Sequence, residues 1–433
     1  MSGAAPALVR PVNRKAVLVA SCVLMFALGA LYTFSVLRNP LVQEKGFGLD
    51  GVLLAYSVNA GISPIPMVLG GWLVDKGWAR WTALVGGVML GVGWMLSGAS
   101  TSLVQLIVGY GVVAGLGQGL AYSALLANAI RFFPDKRGLA AGLSVGSQGA
   151  GAIVVAPMAR ALISGAGVGH AMVVLGGVFV VVAGLTFVVI RVAPTGFWPA
   201  GVPQTRQAAA GPSGGGTAVP PQRMMLTGAF WAIFVVFVCG AFSGLMIAAN
   251  ASPIGVAMYG MTATTAAFAV SAYAAGKMTG GFVLGSVSDT LGTARTLVLI
   301  FAFVAAFLGL LIVVRGNAAG FMAGVFGLGV CFGGVMGVMP SLVSTRFGLR
   351  YQGMNYGLAF SAYSVSAYFA PHLAAQLGEA SGDYSQAFLI AIGAAAVGLA
   401  VTVVLSRQLV RPTRPVGAAA EGAPAEEIAR SGH

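Results

Sequence analysis

Between Ala16 and Ser406 the sequence passes through one apolar stretch of roughly twenty residues after another, broken by short connections that carry almost all of the charge. Hydrocarbon offers no water to backbone N–H and C=O groups, so stretches of this length satisfy those groups internally, as helices. Twelve can be placed, at 16–38, 52–74, 82–100, 103–130, 139–161, 169–190, 228–250, 264–286, 296–314, 319–345, 356–377 and 385–406. Only 8% of the residues are charged and the mean hydropathy is +0.91, against about a quarter charged in soluble domains. The chain is therefore expected to be an all-α membrane protein, and its 65 glycines suit helices that approach closely within a bilayer.

The basic residues are distributed unevenly. If both termini share one side, eighteen Lys and Arg fall on that side, and only Arg38, Lys45, Arg160 and Arg315 on the other. This bias predicts cytoplasmic termini and an even number of spans, as expected of a multi-pass protein in a bacterial inner membrane. The first stretch continues into "LRNPLV" with no small-residue cleavage site, so it is expected to be a retained helix. The net charge of +13 lies in short clusters between spans, a topology signal and not a nucleic-acid face. Cys22, Cys239 and Cys331 sit inside apolar runs without metal-ligand spacing. There is no H-E-x-x-H and no P-loop, so no enzyme activity, cofactor or metal is expected.

Two repeats divide the chain. "RFFPDKRGLAAGL" (Arg131 to Leu143) and "RFGLRYQGMNYGL" (Arg346 to Leu358) follow even-numbered spans, 215 positions apart. "GGWLVDKGWAR" (Gly70 to Arg80) and "LGSVSDTLGTAR" (Leu284 to Arg295) each set a glycine four residues before an aspartate, Asp75 or Asp289, 214 apart. Parallel repeats of this kind mark carriers with alternating access. The expected organisation is a six-helix half over 1–192, a disordered cytoplasmic linker over 193–222, a second six-helix half over 223–409 and a disordered tail over 410–433. The linker's "AAAGPSGGGTAVPPQ" has neither periodicity nor an apolar run.

The duplicated G-x-x-x-D turns in this setting resemble those of the major facilitator superfamily. "YTFSVLRNPL" (Tyr32 to Leu41), "NAIRFFPDKRGLAAGLSVGSQGAG" (Asn128 to Gly151) and "RYQGMNYGLAFSAY" (Arg350 to Tyr363) are similar to the oxalate/formate antiporter family, itself related to the monocarboxylate transporters. The resemblance implies twelve helices in two halves around a central cavity, and small carboxylates such as oxalate, formate or lactate as cargo, moved by antiport or with a proton. It also implies a monomer. In members that carry oxalate, a span-8 arginine and a span-11 lysine are expected where this chain has Gly281 and Tyr363, so oxalate in particular is not expected. Of the two turns, only that of Asp289 has the superfamily's usual spacing; "DKGWAR" brings its glycine one residue closer.

One cation lies outside the connections. Lys277, in "SAYAAGKMTGGFVLGSVSDTLG", precedes Asp289 by twelve residues, which puts it roughly 18 Å along a helix from the charged turn, near the bilayer midplane. Facing lipid, an ammonium there costs at least ~3 kcal/mol. It either bonds between helices without touching cargo or faces a cavity. No Asp or Glu occupies the central part of any span, so a carboxylate cargo would be its counter-charge. Alternatively Lys277 deprotonates and carries a coupled proton. His372, beside Pro371 on span 11, is either structural or a second proton or substrate group. Tyr32, Tyr122 and Tyr363 are candidate hydrogen-bond donors to a carboxylate, because the resemblance places spans 1, 4 and 11 at the cavity. Asn59, Gln118 and Asn128 are weaker candidates, and Arg38 reads as an interfacial group. Asp75 with Arg80, and Asp289 with Arg295, are expected to gate by capping helix ends or pairing. The resulting expectation is a proton-coupled symporter of a small organic anion, most simply a monocarboxylate. Two alternatives stay open: a carboxylate/carboxylate antiporter, and a carrier of a neutral or cationic solute.

Overall fold

A computed structural model describes residues 13–194, 196–198, 218–378, 382–404 and 406. Among the described residues twelve helices cross the molecule: α1 (14–45), α2 (49–75), α3 (Ala79–Gly98), α4 (Leu103–Phe132), α5 (137–166), α6 (168–189), α7 (Gly228–Tyr259), α8 (Ala263–Leu291), α9 (Thr293–Val313), α10 (Ala318–Phe347), α11 (Gln352–Gly378) and α12 (Ser385–Val404). Nine continuous helical segments among the described residues are long and apolar enough to span a bilayer by composition alone. One of these, 137–189, is two spans joined end to end: Gly167, at φ 82°, breaks it into α5 and α6. α8 and α11 complete the twelve; both are rich in the small and polar side chains that face a protein interior rather than lipid.

The helices start where capping chemistry allows. Asn13, Thr227, Thr262 and Asn317 each accept backbone N–H groups in the first turn of the helix that follows. Several run past the predicted ends. α7 continues through Pro253 to Tyr259, because its last turns pack Tyr259 on Phe321 (ring centroids 4.4 Å apart) and need not stop at the hydrocarbon edge. α1 is interrupted by a 3₁₀ turn over Gly29–Thr33, where Gly29 lets it cross the backbone of α5 at Gly151 and Ala152.

The two halves meet along two seams related by the repeat. α5 lies on α8 through Gly138, Gly142 and Gly146 against Gly281, Gly285 and Met278, and α2 meets α11 at Gly71 and Gly353. A β-carbon at any of these glycines would press on the facing helix, so the seams depend on their absence. Most of the predicted linker (199–217), the whole tail over 410–433, and Arg10, Arg206, Arg407, Arg411, Arg414 and Arg430 lie outside the described residues. The linker's edges do not match the expectation of disorder. Pro221 and Gln222 begin a short helix, Pro221–Met225. Ala193 donates its N–H to Asn128 Oδ1 (3.1 Å), and Asn355 Nδ2 donates to Val219 O (3.0 Å).

Candidate functional site

Lys277 enters the site from α8, where Gly329 and Gly333 of α10 allow the α10 backbone to lie against the Tyr273 and Lys277 carbonyls. Its residue is 3% exposed. The ammonium crosses to the first half: Nζ donates to the Tyr32 hydroxyl and lies 3.5 Å from Gln148 Oε1. It also sits 4.0 Å from the centroid of the Tyr32 ring and 5.4 Å from that of Phe332. These are neutral partners. The ion pairs of the described residues are Arg14–Asp135, Arg131–Asp75 and Arg315–Asp383, and none involves Lys277. An aromatic face and an amide oxygen moderate a buried positive charge without cancelling it.

From Phe332 a chain of rings continues around the centre. Tyr363 faces Phe332 at 6.5 Å and stacks on Phe360 at 4.7 Å, and Phe360 in turn meets Tyr122 at 5.8 Å. The structure thus gathers Lys277, Tyr32, Tyr122 and Tyr363, from α8, α1, α4 and α11, into one cluster that spans both halves. Gln148 completes it and escaped the sequence reading, because a glutamine within "SVGSQGAG" has no periodic or charge signal to mark it. His372 lies apart. It is nine residues beyond Tyr363 on the same helix, roughly 13 Å at helical rise; it is exposed, its Nδ1 is 2.7 Å from Tyr368 O, and its ring stacks on that of Tyr368.

The packing explains why a glycine suits position 281. A β-carbon there would lie 3.0 Å from both Gly142 O and Gly146 N, within the α5–α8 seam. The cation of α8 stands one turn away, at Lys277, where the seam opens. The weaker candidates hold structure: Asn59 Nδ2 donates to Tyr110 O (2.6 Å), Asn128 bonds Arg191 O and Ala193 N, and Arg38 is exposed beside Asn39.

At the arginine-rich end of the bundle the two repeat aspartates cross between halves. Asp75, at the end of α2, accepts the N–H groups of Gly353 and Met354 (both 2.9 Å), which cap the start of α11. Asp289, at the end of α8, accepts those of Gly138 and Leu139 (both 2.8 Å), the start of α5. The two turns make the same pair of bonds despite their different glycine spacing. The arginines differ from the expected ones. Arg80 turns away from Asp75, donates to Phe187 O (3.0 Å) and stacks over the Phe187 ring, holding α6. Asp75 pairs instead with Arg131, which also donates to Val74 O (2.9 Å) and Arg350 O (3.1 Å). Asp289 uses both oxygens on the α5 backbone, and the cation whose field reaches it is Arg137, not Arg295. With both caps made, this end of the interface is closed.

Twelve helices in two pseudo-symmetric halves, with a polar cluster between them and paired caps at one end, define a membrane transporter. The Major Facilitator Superfamily pattern matches residues 17–256 and 236–431. The oxalate:formate antiporter of Oxalobacter formigenes is 28% identical over 408 residues, covering 93% of this chain and 94% of that one. Monocarboxylate transporter 14 of Mus musculus is 33% identical over 81 residues, 19% of this chain and 16% of that one. Among solved structures, FucP, the E. coli fucose:proton symporter, in its outward conformation superposes with a TM-score of 0.67 at 15% identity, over 91% of this chain and 98% of that one. The chain belongs to the major facilitator superfamily and is related to the oxalate:formate antiporter.

Proposed function

We propose that the protein carries a small organic anion, a monocarboxylate such as formate or lactate, across a bacterial inner membrane by proton-coupled symport with alternating access. The observation that carries this reading is the buried Lys277 ammonium, placed between the halves among neutral partners. A monocarboxylate supplies the one charge the cluster lacks, and the joint neutrality lowers the barrier to moving the site past hydrocarbon. Tyr32, Tyr122 and Tyr363 orient the carboxylate through phenolic O–H groups, and Lys277 rather than the outlying His372 is the group to hold a coupled proton. The molecule works as a monomer with both termini in the cytoplasm, so the closed end faces the cytoplasm and the Asp75 and Asp289 caps form the inner gate. A second reading, exchange of one carboxylate for another, is favoured by the 28% identity to an oxalate:formate antiporter.

Uptake of labelled formate or lactate into proteoliposomes tests both readings. Symport predicts uptake that depends on an inward proton gradient and needs no internal carboxylate. Uptake that needs internal carboxylate and ignores the gradient assigns exchange instead. A folded Lys277→Gln protein with normal uptake would remove the lysine from the mechanism.

A further inference from the structure

Lys277 is held by two side chains of the opposite half, and they differ in kind. Tyr32 offers a ring face and a hydroxyl; Gln148 offers an amide oxygen. Gln148 is 6% exposed and sits on α5 where the glycine seam with α8 ends. Gly149 still packs on Met278 and Ala274, whereas Gly151 turns to α1 at Phe26 and Gly29. The 215-residue repeat sets Gln148 opposite Tyr363, so equivalent helices α5 and α11 each bring one neutral polar side chain to the cluster.

We infer that Gln148 determines the charge selectivity of the site: its amide positions the Lys277 ammonium at the interface while leaving that charge unbalanced, so the site takes one negative charge. A carboxylate at this position would complete an internal ion pair and remove the need for cargo. A second ammonium would raise the demand to two negative charges. The inference rests on Lys277 being the counter-charge of an anionic cargo. Glutamate has the shape of glutamine, so Gln148→Glu changes the charge facing Lys277 without changing the packing, whereas a merely structural role for Gln148 predicts no change in anion affinity in a folded Gln148→Met protein.

The test uses purified full-length protein in thermal-shift titrations with formate, lactate and oxalate, with uptake measured in parallel. Gln148→Glu is expected to melt higher than wild type without ligand and to lose at least about tenfold in apparent affinity for formate and lactate. Gln148→Lys is expected to change the oxalate-to-formate preference by at least about tenfold in favour of oxalate. Either variant, if folded by circular dichroism and size-exclusion chromatography, decides the matter. Should neither fold, Gln148→Met is read instead, with monoanion affinity expected to fall while the preference for one negative charge is kept. Wild-type monocarboxylate affinity in folded Gln148→Glu, unchanged charge preference in folded Gln148→Lys, or unchanged affinity in Gln148→Met overturns the inference. If wild type responds to formate or lactate and Lys277→Gln does not, such a result leaves the reading of Lys277 standing. If wild type responds to neither acid, or Lys277→Gln responds normally, that reading fails and the role of Gln148 with it.

Discussion

Replacing Asp75 by Asn tests the proposed inner gate directly, because its effect on the interface can be worked from geometry. The Asp75 side chain is 7% exposed. Its two oxygens accept from Gly353 N and Met354 N across the interface, and Arg131, which it orients, donates to Arg350 O across the same interface. Hydrogen bonds to an ionised group are worth about 1.5–3 kcal/mol each, and an amide retains only one acceptor oxygen. The Arg131 pair lies within one half and persists when the halves part, so it contributes little to the difference between closed and open states. The change therefore destabilises the closed end by ~2 kcal/mol, about thirtyfold in the closed-to-open ratio. Lys76 and Arg350 are exposed at that end, on opposite halves. Spin labels at Lys76→Cys and Arg350→Cys, read by pulsed electron–electron resonance, should gain a longer-distance population in the Asp75→Asn background. An unchanged distance distribution in a folded protein would refute the capping argument.

Asp289→Asn, which removes the matching cap at Gly138 and Leu139, should open the same end to a similar degree, and the double variant should show more of the long distance than either alone. Gly281→Arg should lower the melting temperature, measured by thermal shift, because its β-carbon would lie 3.0 Å from Gly142 O and Gly146 N and the two helices must separate by a few tenths of an ångström to admit it. Asn128→Ala removes two bonds to the segment after α6 and should lower stability by about 1–3 kcal/mol while sparing anion affinity, measured by thermal shift. At the other end, Asp383 is held below the usual carboxylate range by hydrogen bonds from Ser385 and then by Arg315. A depressed folded-state value means its stabilisation is present above the ordinary value and lost as pH falls through the folded one. Asp383→Asn should therefore cost stability at neutral pH, and the cost should vanish as pH falls through the depressed folded-state value, with a loss under about 1 kcal/mol because both partners are nearly half exposed.

Much of this architecture could be read in the sequence because membrane spans are governed by a local quantity, hydropathy, and by the absence of water around the backbone. Lys277 stood out for the same reason: a single charge in an apolar run is conspicuous without any knowledge of its neighbours. Its neighbours were not legible. Tyr32 and Gln148 are 245 and 129 residues away, and only the crossing of α1, α5 and α8 brings them to the ammonium. Arg80 is near Asp75 in sequence, yet it begins a new helix that faces α6, whereas Arg131 approaches from α4. Repeat matching located both aspartates; the backbone N–H groups they cap belong to helix starts in the opposite half, which no spacing within one repeat reveals. Gly281 read as a missing charge and also lies in a close helix contact, visible only once the seam is assembled.

The central claim is that the Lys277 ammonium finds its charge balance in the cargo. Isothermal titration of formate or lactate into wild-type and Lys277→Gln protein, both shown to be folded, measures it most directly. The account predicts saturable binding to wild type and none to the variant; equal affinity for the two proteins would contradict it.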